Sequence, residues 1–334
     1  MAAYTTIDNP ELYFQVKLYT GNYSTQSITL DGDENMQPDM VWIKERSVSG
    51  NHQLQNSLTG TGSKLMPNSD SQESTGETAY ITSFDSDGFS IGANNGINQS
   101  GVTNVAWCWK ESADAGFDMV TYTGSGSAKT VSHNLSAVPE FFFTKRRSGT
   151  NQWRLYHVGA SDSATDYTNL DQTDAFSDAD TIFNDTMPTS SVFTVGSDSG
   201  INGSSETYIS FLWSGKQGFS NFSTFVGSGS TDGPFCFTGF TPAWLLIKKS
   251  SASGTGWFIF DNKRDSLNPN SKFLMTQATN DEDDNTNRGI DFLSNGFKVR
   301  GDSGDVNASG DTYIYMAFAE APFVNSKGVP ANAR

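Results

Sequence analysis

The longest apolar stretches of the chain come in two sets of three. PDMVWIK (38–44), PEFFFTK (139–145) and PAWLLIKK (242–249) each open on a proline, run apolar without a polar break and close on a lysine. TNVAWCW (103–109), TYISFLW (207–213) and TYIYMAF (312–318) form the second set. A strand with one face in a core and the other in water alternates apolar and polar residues, and these do not. Leaving Trp, Phe, Leu and Ile wet on the second face would cost too much free energy, so something covers it. A neighbouring segment, a long loop of the same segment or another copy of the chain would each serve. Trp42, Phe142, Trp244, Leu246, Trp109, Trp213 and Phe318 are therefore candidate assembly-interface residues. The opening proline fits a strand start, where a missing N–H breaks no ladder bond.

These landmarks sit inside a larger repeat. Tyr19–Gly21 recurs at Tyr122–Gly124 and, as FVG, at Phe225–Gly227, while DGFSIG (87–92), SVFTVG (191–196) and NGFKVR (295–300) bring Phe89, Phe193 and Phe297 into register. Landmarks that keep one order at a period of about 100 residues mark a triplication. The expected domains are 1–112, 113–215 and 216–321, followed by a tail, 322–334. Within each, strand-length runs are separated by Gly, Ser, Asn and Asp clusters, and only SDADTIFND suggests one helical turn. The expected fold is all-β, with three tandem antiparallel β-sandwich repeats of about 100 residues, jelly-roll or immunoglobulin-like in topology.

Composition narrows the partners. Aromatics make up 13% of the 334 residues, which argues against disorder. The formal net charge of −16 disfavours nucleic acid. Cys108 and Cys236 are too few for a disulfide framework and read as buried reduced thiols. The opening residues lack the pattern of a signal peptide and no apolar run is long enough to span a bilayer, so the expectation is a chain folded in a cytoplasm, without membrane insertion.

Chemistry is sparse. The three histidines, His52, His133 and His157, belong to no HExxH motif, no GxSxG elbow is present, and GTGSK (60–64) fails the phosphate-loop spacing. Neither an enzyme nor a bound cofactor is expected. Asp85 and Asp87 of FDSDGF are weak calcium candidates, without EF-hand spacing. Trp153 and Trp257 recur at one place after the lysine, with His52 at the equivalent position. An exposed Trp is a platform for a sugar ring, so these three are glycan-binding candidates, although burial as caps of the core is the favoured reading.

The repeat pattern, the opening MAAYTTIDNPELYFQVKLYTGN and the ending TYIYMAFAEAPF resemble tandem-repeat proteins of marine tailed bacteriophages, described as virion structural or tail-fibre-like. The resemblance spans nearly the whole chain and brings no catalytic residues. It implies a virion surface protein exposed on the assembled particle, with other virion proteins as partners and a host surface glycan as a candidate ligand. Phage fibres are typically trimers, so a homotrimer is the favoured oligomer; three repeats around a pseudo-threefold axis within one chain is the alternative geometry. A capsid decoration or adaptor protein is the second functional reading, and a polysaccharide depolymerase working through paired carboxylates the third.

Overall fold

In the computed structural model, which describes residues 3–160 and 166–330, the chain is all-β with antiparallel pairing throughout its sheets. One strand order occurs three times. Phe14–Thr20, Thr103–Trp109, Met40–Glu45 and Gln53–Asn56 lie side by side in that order. Phe117–Thr123, Thr207–Trp213, Phe141–Arg146 and Arg154–His157 repeat it, as do Ser220–Val226, Thr312–Pro322, Phe240–Lys249 and Trp257–Asp261. In each case the proline-led strand pairs with the closing strand of its own repeat. A smaller sheet accompanies each large one: Gln26–Ile28, Gly88–Ile91 and Ile81–Asp85 in the first, Lys129–Ser132 with Val192–Val195 in the second, and Phe235–Phe237, Gly296–Val299 and Ile290–Leu293 in the third. The stretch read as one helical turn forms Asp180–Phe183.

The double apolarity has a direct structural cause. In the first repeat, Val41, Ile43, Ala106 and Cys108 point toward the smaller sheet and pack with Ile28, Phe89 and Ile91. The alternate residues, Met40, Trp42, Val105, Trp107 and Trp109, point the other way, into a core shared by all three repeats. In the second repeat Phe141, Phe143, Phe211 and Trp213 enter the shared core, while Leu212 faces Val131 and Phe193. Rings from different repeats meet there: Trp109 lies 6.3 Å from Trp213 and 5.7 Å from both Trp244 and Phe318, in edge-to-face geometry. Such pairs are the favoured arrangement of aromatic quadrupoles.

Two expectations change here. Trp42, Trp244, Leu246, Trp109, Trp213 and Phe318 are buried inside a single chain, against other repeats of that chain, so covering them requires no second copy. Phe142 faces away from the shared core and stacks on Tyr156 at 4.8 Å, within its own repeat. The first and last described segments also meet: Phe14 stacks on Phe318 at 5.0 Å, Tyr4 donates to the Gly239 carbonyl, and Ser326 bonds Asp8 through both its hydroxyl and its backbone N–H.

Candidate functional site

The three glycan candidates are buried: Trp153 and His52 are 0% exposed and Trp257 1%. An aromatic platform needs a free face, and these have none, so the sugar-platform reading does not hold for them. Their polar edges hold the repeats together instead. Trp153 Nε1 donates to the Met66 carbonyl (3.0 Å) and Trp257 Nε1 to that of Asn169 (3.1 Å). His52 takes a hydrogen bond from Trp42 at Nδ1, which leaves Nε2 as the protonated nitrogen facing the Met275 carbonyl at 3.0 Å.

Each of these contacts is the first of a register that recurs at all three joints. The closing lysine of the proline-led strand donates to a carbonyl four residues further along the same loop: Lys145 to Asp70, Lys248 to Thr173 and Lys44 to Thr279. That carbonyl also accepts a backbone N–H, from Asn151, Gly254 and Gly50 respectively. Three residues on, the loop's own N–H groups, of Glu73, Phe176 and Glu282, donate to the carbonyls of Arg147, Ser250 and Arg46. Thus the loop of the first repeat clasps the second, that of the second clasps the third, and that of the third returns to the first. The clasp is a closed ring.

The three lysines are fully buried, and desolvation pulls each down to about 8. Two of the three joints add a bidentate ion pair, Arg147 with Glu73 (3.0 and 2.8 Å) and Arg46 with Glu282 (2.9 and 2.8 Å); the third has Ser250 and Phe176 there instead. Because Glu73 is buried, Arg147→Ala strands a carboxylate and should cost about 1–3 kcal/mol. Ser250→Ala, at the same position of the third joint, should cost well under half of that. Urea denaturation of both variants checks the contrast.

Other sequence candidates are occupied locally. Asp85 accepts from the hydroxyls of Ser83 and Ser90, and Asp87 from the Met36 N–H. Among the described residues no group of three or more His, Cys, Asp or Glu is placed to hold a metal ion. Glu111, half buried, is pushed up to about 7 by desolvation and by Asp118 beside it. Both carboxylates are committed to backbone, Glu111 to Met119 N–H and Asp118 to Asn134 N–H. Cys108 and Cys236 are free thiols, both buried. Among the described residues no helix is long and apolar enough to cross a membrane.

The surface that departs from the threefold pattern lies on the third repeat. Its edge strand Phe235–Phe237 pairs Cys236 with Phe297, as Ile28 pairs with Phe89 and Val131 with Phe193. The residues flanking that inward position point outward. They are Ser27 and Thr29 in the first repeat, Thr130 and Ser132 in the second, and Phe235 and Phe237 in the third. Both phenylalanines are about half exposed, at 46% and 57%. Across the sheet Phe235 stands opposite Lys298 and Lys298 opposite Asp291, so the three side chains share the outer face. Arg300, two residues beyond Lys298, continues that row.

At the end of this face is an open cleft of about 520 Å³, lined by Thr231, Asn268, Pro269, Thr286, Asn287, Asp291 and Arg300. Its charges are balanced. Lys298 pairs with Asp232 (2.7 Å), and Arg300 lies 3.4 Å from Asp291 and 3.8 Å from Asp232. Partial burial raises the Asp291 carboxyl, with Arg300 and Lys298 opposing. Asn268 is locked in place, since its amide exchanges two bonds with the backbone of Phe292. The signal for this site was present in the sequence, as the two Phe of PFCFTGF standing where QSITL and KTVSH have Ser and Thr.

Residues 9–322 match a family described as Domain of unknown function (DUF7483). The chain belongs to this family. The match runs through all three repeats as one unit, in keeping with a clasp that only closes when all three are present. No curated protein matches the chain.

Proposed function

We propose that the chain is a non-enzymatic recognition and structural protein of a bacteriophage virion surface, a tail fibre or appendage module that contacts the host. On this reading each repeat is a β-sandwich, and the three form a rigid, single-chain counterpart of a trimeric fibre head. The observation that carries the proposal is the break in threefold pattern. Two repeats present small hydroxyl side chains at the outer edge strand, and the third presents Phe235 and Phe237 beside a polar cleft. Exposed large aromatics beside polar groups mark binding surfaces. The sequence resemblance to tail-fibre-like proteins and the strongly acidic composition, which favours solubility, agree with it. The single-chain geometry favours a monomer of about 36 kDa.

Purified protein added to host bacteria before phage should bind the cells and reduce adsorption in proportion to dose. Binding that is absent at saturation, with no competition, overturns host contact and makes a capsid decoration or adaptor role the better description.

A further inference from the structure

We infer that the cleft and outer face of the third repeat bind a neutral saccharide, with a ring lying on Phe235 and its hydroxyl groups held by Asp291, Arg300 and Asn287; this rests on the recognition role proposed above. Three features of the site select that ligand class. First, its volume of about 520 Å³ is within the range of small-molecule clefts, roughly 300–1,000 Å³. Second, its lining is amide, hydroxyl and ion pair with one proline, groups that donate and accept at once, as paired hydroxyls require. The adjacent phenylalanines offer the flat apolar area that the C–H face of a sugar ring covers.

Third, the charges exclude the alternatives. Lys298 and Arg300 are each opposed by Asp232 or Asp291, so no unopposed cation is offered to a sulfate, phosphate or uronate group. The rest of the molecule, at −16, repels polyanions. An extended acidic peptide meets the same obstacle. The first two repeats carry Ser27, Thr29, Thr130 and Ser132 at the equivalent edge-strand places and no aromatic there, so one such site per chain is expected.

The test is calorimetric titration, supported by saturation-transfer NMR, of the full chain with neutral hexose and N-acetylhexosamine oligosaccharides, sulfated and uronate oligosaccharides, and an extended acidic peptide. Neutral oligosaccharides should bind with one site per chain. The double variant Phe235→Thr/Phe237→Ser gives the third repeat the surface of the second and should weaken binding about tenfold or more. Both side chains are about half exposed, so its melting temperature should fall only modestly, and binding is compared at a temperature where both proteins are fully folded. Asp291→Asn, a second variant within the cleft, should weaken binding as well. Binding of only the anionic probes or only the peptide overturns the assignment. So does neutral binding that both variants leave intact. If no probe binds while the protein still binds cells and blocks adsorption, the saccharide assignment fails and host contact survives. Saccharide binding that the variants weaken, in a protein that does not bind cells, upholds the saccharide assignment and overturns host contact.

Discussion

Trp153→Ala should destabilise the protein by about 3–5 kcal/mol, the cost of a large cavity in a core that cannot collapse. The indole packs 5.6 Å edge-to-face from Phe143 and is completely buried. Its N–H also serves the carbonyls of Met66 and Ser69 in the preceding repeat, so part of the loss falls on the joint. Trp153→Phe keeps most of the volume but removes that donor, and should cost about 1–2 kcal/mol. Urea denaturation monitored by fluorescence and by far-UV circular dichroism measures both. The folded fraction of Trp153→Phe should bind host cells as the unaltered protein does. Loss of binding with little loss of stability would return Trp153 to the ligand site.

Stability should also fall steeply with acid. His157 is buried with Nε2 on the Tyr315 carbonyl, and burial pulls it down to about 4; His52 is pulled to about 3, with Lys44 adding to the effect of burial. Each is neutral in the folded chain at pH values where the unfolded chain takes up a proton. The stabilisation is therefore fully present above about 6.5 and lost as pH falls toward the folded values. For His157 the shift corresponds to about 3 kcal/mol by pH 4. Glu111 acts in the opposite direction over part of the same window, because its raised folded value makes the native state more favourable as pH drops. The decisive quantity is thus a difference between proteins. His157→Gln should flatten the fall in urea-derived stability between pH 7 and 4.5 relative to the unaltered chain. An identical pH slope in the two proteins would remove His157 from this account.

What the sequence made legible was what alternation encodes. The proline-led and closing strands break the period of two, and that alone required cover on both faces, as Trp42 against Val41 and Trp107 against Cys108 now illustrate. The identity of the cover was not legible. The clasping loops, PNSDSQE (67–73) and its counterparts, are polar and act mainly through backbone carbonyls, which leave no side-chain signature. For the same reason the sequence left Trp153 and Trp257 open to two readings, the favoured one as core caps and the other as an exposed sugar platform. Phe235 and Phe237 were not legible as a surface, because within PFCFTGF they pass for another doubly apolar strand. Only the exposure of alternate residues separates them from Cys236.

The covalent linkage of the three clasped repeats, with Ser326 of the last segment bonding Asp8 of the first, sets how the assembly responds to dilution. Three separate subunits held by the same clasps would come apart as their concentration fell. Three linked repeats experience one another at a fixed local concentration, in the millimolar range for short tethers, however few molecules surround them. The ring should therefore survive dispersal to single molecules. Because the segments around Asp8 and Ser326 are in contact, the fold should also tolerate being joined between them and reopened at either internal joint, giving circular permutants with the same clasps in a different chain order.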